Sequence, residues 1–416
     1  MSPVTLFVGI RELVPLSDGP VGAVRGEALG RAEPIPDAAI AVQDGKVLAT
    51  GTRSDLEAAY ADAQPVDLQA PVVVPAFVDA HTHPAFAATR EKEFGMRCAG
   101  ADYVEISKAG GGILSSVRTL REIDEDALVE LVRERLQRFL ALGTVALEAK
   151  SGYGLELESE LKSLRAIERA AESVPMRLHR TFLGAHEIGP EYRDRPDEYV
   201  DLLVEEMLPA ARPYSDACDV FVEDHVFTVE QGRRILSRAK ELGYRVRAHV
   251  DELAPLGGAE LAVELGADSA DHLLFVSDSG IEALGGSETT AVLLPGTSFF
   301  LGKNRYAPAR RLIEAGAKVA LATDFNPGSC HTQSLPMIVT LARLNYGMTP
   351  AECLNAITRN AAESMGLAEE RGTLHAGKSA DFVVLELPSF EAFGYSFGDN
   401  RAKAVYVQGQ LASSLV

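Results

Sequence analysis

Val72-Val-Val-Pro-Ala-Phe-Val-Asp-Ala-His-Thr-His-Pro84 is the stretch on which the reading of this chain turns. An apolar, β-branched run bounded by prolines predicts a fully buried strand, and it ends in two histidines one residue apart. In an extended chain, side chains at i and i+2 share a face, so His81 and His83 point at one object. Two imidazoles converging at the end of a buried strand fit a metal site. His-X-His is a short pattern, however, and its meaning rests on what the other strands place beside it.

Working outward, eight apolar runs alternate with helical segments: Val72–Ala80, Thr144–Ala149, Arg180–Gly184, Ala217–Val222, Arg245–Ala248, Ser269–Phe275, Thr290–Leu294 and Lys318–Ala322. Asp126–Leu142 and Leu157–Glu172 carry apolar residues at helical spacing, and Gly143 and Gly243 sit where a helix is closed by a C′ glycine. Thr228-x-x-Gln231 and Thr349-Pro350-x-Glu352 are capping-box starts. Strands alternating with helices over residues 72–371 predict a (β/α)8 barrel, with a doubly wound open sheet as the alternative.

Residues 1–71 and 372–416 read instead as short strands and turns, with Asp44-Gly45 as a hairpin signal. Neither end carries enough apolar residues for a core alone, so the two are expected to pair into one small composite β-sandwich. The 416 residues include 46% hydrophobic and 24% charged, and the formal net charge of −20 argues against nucleic acid and anionic membrane surfaces as partners. Four scattered cysteines, no basic-then-apolar leader and no apolar run near about 18 residues lead us to expect a cytoplasmic protein with no membrane span.

In a (β/α)8 barrel, chemistry gathers at the C-terminal strand ends. Here strand 1 ends in His81 and His83, strand 2 in Glu148-Ala-Lys150-Ser-Gly-Tyr153, and strand 3 in His186. Strand 5 ends in His249-Val-Asp-Glu252, strand 6 carries Asp271-His272, and strand 8 ends Thr323-Asp324-Phe-Asn326-Pro-Gly328-Ser329. Any one of these has an ordinary structural explanation, and Asp-x-Asn-Pro-Gly is by itself a turn sequence. Five of nine histidines falling on such ends is what points to a site. His179, His225, His331 and His375 fit loops or strand edges, and no role is assigned to them.

His81-Thr-His83 after an apolar strand, the later strand-end histidines, Thr323-Asp324, and the return segment Gly372-Thr-Leu-His-Ala-Gly-Lys-Ser-Ala-Asp-Phe-Val-Val384 together resemble the amidohydrolase superfamily. Four stretches are similar to the branch of that superfamily that opens a cyclic amide in histidine degradation. They are Glu148–Gly154, Thr181–His186, Ala248–Glu252 and Ala322–Gly328, and the resemblance covers nearly the whole chain. It implies metal-dependent hydrolysis of a C–N bond in 4-imidazolone-5-propanoate, giving N-formimino-L-glutamate.

The resemblance also implies a set of site residues. His81, His83, His249 and Asp324 hold one zinc or iron ion. Glu252, His272 and Asp324 are catalytic, with Glu252 or Asp324 as base and His272 on the attacking water or the oxyanion. Arg90 suits the substrate's propionate as a bidentate guanidinium, and Tyr153, His186, Glu252, Asn326, Gly328 and Ser329 complete the grip on substrate. Strand 4 carries no lysine to bridge two ions, so one metal is expected and Lys150 is read as a supporting residue. Gly110-Gly-Gly112 lacks a phosphate loop's lysine and is read as a mobile loop over the site. A homodimer is expected from the same resemblance. Two other readings stay open: a deaminase acting on a ring such as guanine or cytosine, and an inactive relative serving in assembly.

Overall fold

The computed structural model describes residues 2–101, 105–106 and 110–414. The chain begins with β1 (Thr5–Leu13), β2 (Ile35–Gln43), β3 (Lys46–Thr52) and β4 (Gln64–Pro75). Eight strands follow: β5 (Phe77–Asp79), β6 (Thr144–Lys150), β7 (Arg177–Ala185), β8 (Ala217–Val222), β9 (Arg245–Val250), β10 (Ser269–His272), β11 (Thr290–Leu293) and β12 (Lys318–Leu321). The chain closes with β13 (Phe382–Leu385), β14 (Ala402–Val407) and β15 (Gln410–Ser414).

The two ends do pair. One seven-stranded sheet runs in the order β15-β14-β13-β4-β1-β2-β3. The β2–β3 hairpin turns on Asp44 and Gly45, with φ of 51° and 76°, the two positive values that a type I′ turn needs. β14 and β1 are three strand spacings apart, roughly 14 Å in a flat sheet, yet the rings of Phe7 and Tyr406 lie 5.4 Å apart. The sheet therefore curls over its own core, where Phe382 stacks on Tyr406 at 4.6 Å beside Ile40 and Val73. On its other face Leu6, Val8, Ala39 and Ala41 pack on Leu56 of the helix Arg53–Ala59.

β5 to β12 form an eight-stranded sheet in sequential order, with every neighbour parallel. Its first and last strands meet at their C-terminal ends. Asp324 N donates to His81 O at 3.0 Å and His83 N to Phe325 O at 2.8 Å, while Asp79 accepts from Thr323 N at 3.0 Å and Thr323 Oγ1 at 2.6 Å. An open doubly wound sheet would have no such seam, so the ring is a barrel. Its helices include Glu125–Ala141 and Leu157–Ala171, and the capping boxes at Thr228 and Thr349 are both formed.

The opening stretch differs from expectation. Val72–Ala80 is not one barrel strand: Val72–Pro75 belong to β4, paired with β13 and β1, and only Phe77–Asp79 enter the barrel. Pro75 has no N–H to extend a ladder. Beyond it, Ala76 N donates to Asp381 O while Phe77 N donates to Gly143 O. One apolar run thus serves two sheets. β7 also starts earlier than expected and takes in His179, which is buried within the strand rather than at its edge. β10 ends at His272 because His272 and Leu273 take φ of 77° and 62°. Among the described residues, no helix is long and apolar enough to cross a membrane.

Candidate metal centre and substrate pocket

His81 and His83 follow β5, His249 lies near the end of β9, and Asp324 follows β12; all four are buried. Nε2 of His81 and Nε2 of His83 are 3.2 Å apart. Asp324 Oδ1 is 3.5 Å from each of them. His81, His83 and His249 each bring a ring nitrogen within 4.8 Å of the others. Asp324 is held by Thr297, whose Oγ1 donates to its Oδ2 at 2.5 Å. Burial pushes the imidazoles of His81 and His83 well below their ordinary range and that of His249 down to about 3. Neutral rings keep a lone pair for a cation. His249 Nε2 is buried with no hydrogen-bond partner, a cost of order 1–3 kcal/mol for a polar atom that metal ligation would remove. Three imidazoles and a carboxylate match the donor set of zinc or iron, so the residues fit a metal ion.

Beneath these ligands lies a charge cluster, of which Asp219 and Arg247 were not singled out from sequence. Lys150, the last residue of β6, places Nζ 2.7 Å from Glu148 and 2.6 Å from Asp219 Oδ2, with Asp271 Oδ2 at 3.9 Å. Arg247 Nε is 2.9 Å from Glu148 Oε1. All five side chains have no exposed surface. Burial raises the Asp271 carboxyl against the pull of Arg247 and Lys150. Burial also disfavours charge on Asp219, but His249 and Lys150 outweigh it and hold that carboxyl well below its usual range. Part of the signal was present in the sequence: Asp219 interrupts the otherwise apolar strand Ala217–Val222, and a charge inside a barrel must be paired.

On the pocket side, Glu252 lies between two positive or protonatable groups, His272 Nδ1 at 3.6 Å and Lys303 Nζ at 3.6 Å. Its backbone is fixed from β8's loop, where Glu223 Oε2 accepts from Glu252 N at 3.0 Å and from Leu253 N at 2.7 Å. His186 stacks on His83 at 5.1 Å with a 19° tilt, and its Nδ1 is 2.9 Å from Gly152 O. The buried Tyr153 ring is 5.4 Å from that of His186. Lys303 and Glu223 were not anticipated, because neither stands in a recognisable spacing.

The remaining expected residues are Arg90, Asn326, Gly328 and Ser329. Arg90 is packed against Gly328, where any Cβ would collide with Nη1, but Glu93 forks onto its Nε and Nη2 at 2.9 Å and 2.6 Å. Arg97, also unanticipated, donates from Nη2 to Gly328 O at 3.1 Å. Asn326 is turned into its own loop: Nδ2 donates to Asp324 O and Ser329 Oγ, and Oδ1 accepts from Gly328 N and Ser329 N. Arg90 and Glu93 also line a cavity of about 500 Å³ with Gly111, Ser115 and Arg118. Gly112, with φ of 87°, leads into the helix Ile113–Glu122.

A closed parallel barrel with histidines and an aspartate at its C-terminal rim defines the class: a metal-dependent hydrolase fold. The amidohydrolase family model matches residues 72–412, and a bacterial imidazolonepropionase-like composite domain matches residues 38–63. An imidazolonepropionase of Symbiobacterium thermophilum is 47% identical, covering 99% of this chain and 98% of its own. That of Geobacillus kaustophilus is 44% identical, covering 96% of each. The chain belongs to the imidazolonepropionases of the amidohydrolase family. Among solved structures, a guanine deaminase of C. acetobutylicum superposes with a TM-score of 0.72 at 15% identity, covering 99% of this chain and 100% of that one. An adenosine deaminase of Xanthomonas campestris with bound zinc gives 0.71 at 18% identity, covering 99% and 94%. At that identity the likeness is one of fold.

Proposed function

We propose that this protein hydrolyses the cyclic amide of 4-imidazolone-5-propanoate to N-formimino-L-glutamate. The observation that carries the reading is a full-length match to imidazolonepropionases in a chain whose barrel rim gathers His81, His83, His249 and Asp324. A zinc or iron ion held by those four residues would polarise the ring carbonyl and lower the pKa of water beside it.

The chain's own residues do the rest. Arg90 takes the propionate, Tyr153 and His186 flank the ring, and Asn326 shapes the loop that holds Ser329 and sets Gly328 against Arg90. Water adds to the ring carbonyl, and Glu252, steadied between His272 and Lys303, accepts its proton. His272 donates to the oxyanion that develops. When the C–N bond breaks, Glu252 returns the proton to the leaving ring nitrogen, so the hydroxyl ends on carbon and the proton on nitrogen. Asp324, fixed by Thr297, stands close enough to share the base role.

Incubating the purified protein with the imidazolone and following loss of its ultraviolet absorbance tests the reading. We expect turnover that a chelator abolishes and zinc or iron restores. Ammonia release from guanine or cytosine with no action on the imidazolone would overturn it in favour of a deaminase. We further infer a cytoplasmic homodimer; sedimentation at micromolar concentration should give twice the 44.5 kDa chain mass.

A further inference from the structure

Two cations and three carboxylates sit sealed inside the barrel, and the reaction just outlined uses none of them. A buried ion network is weak evidence for stability, because desolvation offsets much of the attraction. What sets this one apart is where two of its carboxylates point. Asp271 Oδ2 is 2.7 Å from His81 Nδ1. Asp219 Oδ2 is 3.0 Å from His249 Nδ1, close though not aligned as a hydrogen bond. Both carboxylates face the same ammonium, Lys150 Nζ, at 3.9 Å and 2.6 Å. Lys150 is itself fixed by Glu148 at 2.7 Å, which also accepts from Thr181 Oγ1 at 2.6 Å and faces Arg247.

A ring that donates from Nδ1 must present its Nε2 lone pair on the opposite side, and a carboxylate behind a ligand histidine fixes that tautomer and the ring's orientation. We propose that Lys150 is the common anchor of this arrangement: it holds Asp219 and Asp271, which turn the Nε2 atoms of His249 and His81 toward the metal position. Lys150, Asp219 and Asp271 are thus positioning residues, acting through two histidines that come from strands on different parts of the ring. The inference rests on the reading of His81 and His249 as metal ligands. It also gives the lysine of the Glu148-Ala-Lys150 stretch a function that does not require it to bind an ion.

The test uses the full-length, zinc-loaded protein and three near-isosteric changes, Lys150→Met, Asp219→Asn and Asp271→Asn. Zinc affinity is measured by competition with a chromophoric chelator, and the Nδ1–H signals of His81 and His249 by nitrogen-15 NMR. Each change should weaken zinc binding by about 10–100-fold. Asp271→Asn should perturb the His81 signal alone, Asp219→Asn the His249 signal alone, and Lys150→Met both. Zinc affinity and ring signals like those of the parent, with only the melting temperature lowered, would reduce the cluster to a structural one and overturn the proposal. Effects in the two Asn variants with none in Lys150→Met would remove Lys150 as the anchor; if Lys150→Met does not fold, Lys150→Gln, which keeps a polar head without the charge, is read in the same way. His249→Ala separates the two levels. If it keeps full zinc affinity the ligand reading itself fails, whereas if it loses zinc while both Asn variants match the parent, this inference alone fails.

Discussion

His179 shows how a single buried side chain makes stability depend on pH. Desolvation, with Arg247 and Arg245 nearby, pushes its imidazole well below the ordinary 6.5, and its Nε2 has no partner. Between that depressed value and 6.5 the unfolded chain binds a proton that the folded chain excludes, so stability is full above pH 6.5 and is lost as pH falls below it. Urea midpoints measured from pH 7.5 to 5 should fall, and His179→Leu should flatten the decline. A slope unchanged by the substitution would assign it to other groups. Glu252→Gln keeps the shape of the side chain but removes its capacity to carry a proton. It should lower kcat by about 10²–10⁴-fold with zinc content intact; loss of zinc instead would move Glu252 into the ligand set.

At the scale of elements, the loop after β12 joins Arg90 to the metal end of the barrel. Gly328→Ala would place a methyl group against the Arg90 guanidinium and displace it from the pocket side. A rise in KM with a smaller change in kcat is expected, because uniform binding is what the arginine supplies; steady-state kinetics with the imidazolone checks this, and a purely kcat effect would place Gly328 elsewhere in the mechanism. Much of this level was legible beforehand. The eight strands, the capping boxes at Thr228 and Thr349, and the histidines at strand ends follow from local pattern, since burial, capping and period are written into neighbouring residues. The break at Pro75 was not legible, because Val72–Val74 and Phe77–Val78 are equally apolar and only the partners of their backbone groups tell the sheets apart. Nor was the pairing of Lys150 with Asp219 and of Lys303 with Glu252, since each brings together residues from distant strands or loops that share no spacing. The fork of Glu93 on Arg90 shows the converse: their i,i+3 spacing is visible in the sequence, but spacing alone does not tell whether a guanidinium turns to a local carboxylate or to substrate.

For the whole molecule, a bound ion adds to stability by mass action. At free metal one hundred times the dissociation constant the gain is about 2.7 kcal/mol. The chelator-stripped protein should therefore melt measurably lower than the loaded one in calorimetry, with zinc restoring the difference; equal melting temperatures would show that the folded and unfolded chains bind the ion alike. Where that gain is felt follows from the seam of the barrel. Asp79 and Thr323, bonded across it, are 244 positions apart in the chain, and the proposed ligands His81, His83 and Asp324 stand immediately beyond them on the two sides. An ion held there is a clasp on a ring as well as a reagent. It fastens the first staves to the last, so the chemistry of this protein and the closure of its barrel would be undone by the same act of chelation.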